Sequence, residues 1–174
     1  MIIFDANVLI QLSTLPEDDD KYLRIQGLVV DLVASKTVIG IPAPAWAEYL
    51  CGADLATAGV IQALRRRRTV RVLAFDEAAA FELSFIHRGA VQFGSKRGAA
   101  AANVPWQQIK TDRQILAIAR VHQASVIYTD DEQLSVEAQR LNVPVKSVDE
   151  IPLKPQQTKL DLSFDEPVED GNES

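Results

Sequence analysis

The stretch Ala124-Ser-Val-Ile-Tyr-Thr-Asp-Asp-Glu-Gln-Leu134 decides the reading of the fold. The apolar run through Tyr128 reads as a buried strand, and two adjacent carboxylates follow it directly, just before a helical pattern begins. Packing gives no reason to place acids there. Capping gives one: Thr129 and Glu132 form a T-x-x-E box, with Asp130 in the favourable first turn of the next helix. Whether capping is sufficient depends on the rest of the chain.

Outward from this stretch, short apolar runs alternate with amphipathic ones. Candidate strands are Ile2–Phe4, Val38–Ile41, Val70–Leu73, Ser125–Tyr128 and Pro144–Lys146. A helix begins near Ala6, and helical patterns follow over about 22–35, 43–51, 56–66, 77–87, 112–123 and 132–141. Strands alternating with helices predict βαβ units and a parallel sheet, with no internal repeat. Pro16–Asp20 reads as a solvated acidic turn. Residues 88–105, with Gly89, Gly94, Gly98 and four consecutive alanines, form a weakly patterned insertion whose Arg88, Lys96 and Arg97 suit a substrate-facing flap.

The 174 residues suffice for one well-packed domain. The formal charge of −6 is uneven: residues 161–174 hold six acids and no base, which leaves 18 acids against 18 bases in residues 1–160. The body, 1–152, is therefore expected to be neutral and folded, and 153–174 to be an acidic, disordered tail in which Leu160, Leu162 and Phe164 could dock. One cysteine, Cys51, excludes an internal disulfide and a cysteine-based zinc site. No apolar run approaches the roughly 20 residues of a membrane span, and Met1-Ile-Ile-Phe lacks the pattern of a signal peptide. The expectation is a cytoplasmic protein.

Acids stand at four places where packing does not ask for them. Asp5 follows the first strand, where it could cap the next helix, and Asn7 is a second polar group inside that helix. Glu48 has Pro44, Ala45, Cys51 and Gly52 as helical neighbours, so it is expected off the solvated face. Asp112, in a second capping-box pattern Thr111-x-x-Gln114, shares its side of a helix with Ile115, Leu116, Ala119 and His122. Asp130 and Asp131 end the fourth strand. Ligands of an open parallel sheet gather beyond the carboxyl ends of its strands. Carboxylates converging there would repel unless a cation sat among them, and hard Mg²⁺ or Mn²⁺ ions prefer such oxygen ligands.

The segments Phe4-Asp-Ala-Asn-Val-Leu-Ile10, Trp46-Ala-Glu-Tyr-Leu50, Thr111-Asp-Arg-Gln-Ile-Leu-Ala-Ile-Ala119 and Tyr128-Thr-Asp-Asp-Glu-Gln-Leu134 together resemble the PIN-domain nucleases, most of all the VapC-type toxins of toxin–antitoxin pairs. The likeness covers about residues 1–150. It implies a three-layer α/β/α sandwich whose parallel sheet of about five strands runs in the order 3-2-1-4-5. It also implies that Asp5, Glu48, Asp112 and Asp131 are the catalytic and metal-holding acids. Thr129 would orient the turn, and Asp130 would act as a cap or water-mediated partner. The insertion and the tail depart from the family pattern.

The expected activity is that of an endoribonuclease using one or two Mg²⁺ or Mn²⁺ ions, leaving a 5′-phosphate and a 3′-hydroxyl. Glu48 would complete the metal shell or orient the attacking water. Arg113 and Lys110, beside Asp112, are expected to meet substrate, and Arg65, Arg66, Arg67 and Arg68 to contact phosphates or an acidic partner. His122 is expected in the core, His87 at a helix end, and Trp106 either under the insertion or stacked on a base. The resemblance further implies an antitoxin partner and a homodimer. A haloacid-dehalogenase-like phosphatase is the rival reading, but it wants a second aspartate where this chain has Asn7. A non-catalytic PIN-fold binding module is another.

Overall fold

The computed structural model describes residues 1–52, 60, 63, 66, 68–92, 94–97 and 103–154. Strand and helix alternate: β1 (Ile2–Phe4), α1 (Ala6–Thr14), α2 (Asp20–Ala34), β2 (Ile39–Pro42), α3 (Ala43–Cys51), β3 (Val70–Leu73), α4 (Glu77–Gln92), α5 (Trp106–Val121), β4 (Ile127–Tyr128), α6 (Glu132–Arg140) and β5 (Val145–Lys146). A 3₁₀ turn at Val148–Glu150 follows. The strands form one parallel sheet in the order β3-β2-β1-β4-β5, as expected.

Alternation of side chains along a strand builds two cores from one sheet. Ile2 and Phe4 of β1 join Leu9, Ile25 and Val29 of α1 and α2 on one face. Ile3 joins Ile86 of α4, Leu116 of α5 and Leu134 of α6 on the other. Strands buried on both faces need apolar residues at nearly every position, which is why they read as continuous runs. On β2 the packing is too close for a side chain at Gly40, where a Cβ would lie 2.6 Å from Leu73 Cδ1 and 3.3 Å from the Met1 sulfur.

Aspartates start the helices that follow tight turns. Asp5 caps α1, Asp19 caps α2 through the Lys21 and Tyr22 amides, and Asp131 caps α6. Prolines 42 and 105 precede α3 and α5, which have no side-chain cap.

Several differences from the sequence reading bear on function. Helix α5 begins at Trp106, directly after Pro105, instead of near residue 112. Thr111 and Asp112 therefore lie in its second turn, and the Thr111 hydroxyl donates to the Gln107 carbonyl (3.1 Å) and not to a cap. Helix α4 runs on to Gln92 and so absorbs the start of the expected 88–105 insertion. Near the other end of that insertion, Arg97 Nη1 donates to the Val104 carbonyl at 2.6 Å. The helix expected at 56–66 lies mostly outside the described residues, as does the acidic tail beyond Lys154, which itself pairs with Asp31. No described helix is long and apolar enough to cross a membrane.

Candidate active site at the switch point of the sheet

Strands β1 and β4 are neighbours in space, with Phe4 in register with Tyr128, although more than a hundred residues separate them in the chain. Strand order reverses between them, and such a switch point opens a crevice at the carboxyl ends. Asp5 and the Thr129–Asp131 turn emerge there side by side. The Asp5 amide donates to the Tyr128 carbonyl at 3.2 Å. Asp5 is buried; its Oδ1 accepts from the Ala6 amide (2.8 Å), and its Oδ2 accepts from Thr129 Oγ1 (2.7 Å) and Asn7 Nδ2 (3.2 Å). Capping and site geometry thus occupy different edges of one carboxylate.

Asp112 reaches the crevice from α5. It is buried, and its carboxylate makes no hydrogen bond or ion pair with another described residue. Burial first, then the charges of Asp131, Asp5, Glu48 and Glu137, push its pKa up to about 7. Asp5 is raised to about 6 by burial, with Glu48 and Asp131 adding to the rise, against hydrogen bonds from Thr129 and Ala6 that lower it. This mutual repulsion marks Asp5, Glu48, Asp112 and Asp131 as one electrostatic cluster.

Glu48 corrects part of the sequence reading. It is exposed, as are Ala47, Leu50 and Cys51, whereas Ala45 and Tyr49 form the buried edge of α3. Small helical neighbours do not by themselves signal burial. Glu48 stands at the solvent side of the cluster.

The two aspartates after β4 exchange their expected roles in part. Asp131, not Thr129, caps α6, its Oδ1 accepting from the Gln133 (2.7 Å) and Leu134 (2.9 Å) amides. Its Oδ2 accepts from Gln108 Nε2 at 3.4 Å. Asp130 takes no cap. It accepts from Lys21 Nζ (2.8 Å), Gln11 Nε2 (2.9 Å) and the Val148 amide (2.9 Å). Burial acts to raise the Asp130 pKa, but these three donors outweigh it and hold the carboxyl below its usual range. Asp130 therefore tethers α1, α2 and the 3₁₀ turn to the end of β4.

Among the bases, Arg113 departs furthest from expectation. It is fully buried, its Nε bonded to Glu137 Oε1 (2.8 Å) and its Nη1 to the Lys96 carbonyl (2.6 Å) and His87 Nδ1 (3.0 Å). One residue along a helix turns the side chain by about 100°, enough to send Arg113 between helices while its neighbour faces the crevice. His87 lies inside α4 and not at its end; burial and the Arg113 charge lower its pKa. Trp106 is half-buried with Lys96 Nζ 5.0 Å from its ring centre, and His122 follows the last turn of α5, half-buried. Lys110 is half-buried on the helix of Asp112, and Arg66 and Arg68 are exposed; Arg65 and Arg67 lie outside the described residues. Sequence reasoning missed Glu137, which is buried and also faces Arg140 (2.7 Å). Its signal was available: it sits three residues after Leu134 and beside Ala138, on the apolar face of α6.

The donor chemistry of the cluster fits a hard divalent ion, since every candidate ligand is a carboxylate oxygen and no described cation is among the groups that shift Asp5 or Asp112. Among the described residues, however, no three His, Cys, Asp or Glu side chains are grouped closely enough to hold a metal ion as they stand. An ion held here would keep much of its water, as Mg²⁺ commonly does.

No known family profile and no curated protein sequence matches the chain. Solved structures do. A chain of the VapBC2 complex from Rickettsia felis, bound to a DNA fragment from its promoter, aligns over 84% of this chain and 98% of its own, with a TM-score of 0.58 and 16% identity. A chain of the DNA-bound VapBC complex from Salmonella typhimurium aligns over 85% and 99%, with a TM-score of 0.54 and 16% identity. At that identity the likeness establishes the fold.

Proposed function

We propose that this chain is a divalent-metal-dependent endoribonuclease of the PIN type and the toxin of a toxin–antitoxin pair. The observation that carries the reading is the buried Asp112 carboxylate, which has no described partner and faces the charges of Asp5, Glu48 and Asp131. The proposed nuclease unit is residues 1–152, and the acidic sequence from 153 onward is assigned no part in the chemistry. The toxin role is supported by the two solved neighbours, each a VapBC assembly on DNA.

In this reading Asp5, Asp112 and Asp131 hold one or two Mg²⁺ or Mn²⁺ ions, and Glu48, at the exposed lip, completes the shell or orients the attacking water. Bound ions supply water that ionises near neutral pH and positive charge to offset the phosphodiester. Asn7 and Thr129 fix the Asp5 carboxylate through Oδ2. Lys110 and the exposed Arg66 and Arg68 meet RNA phosphates and position the strand. Hydrolysis leaves a 5′-phosphate and a 3′-hydroxyl.

The proposed homodimer uses the outer face of α4. Phe81 and Phe85 are 66% and 49% exposed and meet edge to face at 5.0 Å. A second copy packed antiparallel on this face would set each Phe pair against the other. It would also bring the exposed Arg88 opposite Ala78 and Glu77 of its partner, large against small and positive against negative.

Incubation of the full chain with mixed RNA tests the catalytic proposal. Cleavage should require Mg²⁺ or Mn²⁺ and should vanish in folded Asp5→Asn and Asp112→Asn variants. Release of phosphate from small esters with RNA untouched would favour the phosphatase, and a folded protein inert toward both would favour a binding module.

A further inference from the structure

We infer that Arg113 and Glu137 form a positioning pair that holds Asp112 at a fixed spacing from Asp131, an inference that rests on the nuclease reading above. Asp112 and Arg113 are adjacent on α5, while Glu137 lies on α6, the helix that Asp131 caps. The Arg113–Glu137 ion pair, 2.8 Å long with side chains 0% and 7% exposed, therefore joins the two helices that deliver these acids. Asp112, Gln133 and Glu137 also line one narrow cleft between α5 and α6.

Acids from both helices meet at that junction: Asp112 on α5, and Asp131 and Glu137 at the start and in the body of α6. Arg113 neutralises Glu137 and bonds across the gap. Arg140 cannot substitute, because it lies on α6 three residues from Glu137 and, among the described residues, bonds to Glu137 alone. Arg113 extends the brace further: its Nη1 holds the Lys96 carbonyl, between α4 and α5, and contacts His87 on α4. Carboxylates on separate elements can share an ion only if the elements are held to within about 0.5 Å, and packed hydrogen-bonded partners do that work.

Removing one partner would leave a buried charge unpaired and confuse positioning with stability. The test therefore replaces both, in Arg113→Met/Glu137→Leu, an exchange of a buried pair for apolar groups that is often neutral for folding. Thermal midpoint, Mn²⁺ affinity by calorimetry, and kcat and KM on RNA are compared with the unaltered full chain. The expected result is a near-unchanged midpoint, Mn²⁺ affinity weakened by roughly tenfold to a hundredfold, a similar loss in kcat, and KM within about twofold. Unaltered Mn²⁺ affinity and kcat in the folded double variant would overturn the inference. If the double variant does not fold, Arg113→Lys carries the test, since it keeps the charge but loses the planar fork that spans these partners; the same losses are expected. Failure of both to fold would assign the pair to stability alone and also overturn the inference. Absence of Mn²⁺ binding and RNA cleavage in the unaltered chain would instead remove the nuclease reading itself.

Discussion

The Thr129 hydroxyl donates to Asp5 Oδ2 over 2.7 Å and accepts from Asn7 Nδ2 and the Asp131 amide, each at 3.0 Å. One donor and two acceptors exhaust what a hydroxyl can do, so Thr129 is a saturated link between the ends of β1 and β4. Thr129→Val keeps the shape and removes all three bonds. It is expected to lower unfolding free energy by about 1–3 kcal/mol, read from denaturant titration, and to lower RNA cleavage. Thr129→Ser should restore most of both.

The acid cluster sets an unusual dependence of stability on pH. Asp5 and Asp112, raised from 3.8 to about 6 and about 7, bind their protons more tightly in the folded state. The stability they contribute is complete below the ordinary carboxyl value and is lost as pH rises through their folded values. Asp130 and Glu137, whose pKa values are depressed, act oppositely: theirs is present above the ordinary value and lost as pH falls through the lower folded one. His87, also lowered, contributes above its ordinary value and loses that contribution on acidification. Asp112→Asn removes the neutral-pH penalty at its site. Without metal, this variant should melt a few degrees above the unaltered chain at about pH 8, and the gain should shrink toward acid. An equal or lower midpoint at about pH 8 would contradict the electrostatic account.

Phe81→Glu should separate the proposed dimer. In the antiparallel packing above, a charge at position 81 would be set against Phe85 of the second copy and buried without a partner. Sedimentation should then report a monomer for the variant and a dimer for the unaltered chain, and the variant should keep its folded circular dichroism spectrum because Phe81 is 66% exposed on the single chain.

The sequence made the fold and the candidate acids legible wherever the signal was local. Asp5 drew attention because it directly follows an apolar strand, Asp131 because it closes a T-x-D pattern of the family the chain resembles, and the parallel sheet follows from strands alternating with helices. Partners brought from afar were not legible. Asp130 and Asp131 sit in the same capping pattern, and Gln11, Lys21 and Val148, all distant in the chain, separate their roles. Arg113 looked like a substrate contact because Glu137 and the Lys96 carbonyl, which bury it, lie on other elements. Glu48 misled for a different reason: its small neighbours form a helical face that the fold leaves open.

Calorimetric titration of the full chain with Mn²⁺ at about pH 7.5, in the absence of RNA, tests the central claim most directly. The account predicts binding that is lost or severely weakened in folded Asp5→Asn and Asp112→Asn. No Mn²⁺ binding by the unaltered chain, or binding that both variants retain, would contradict it.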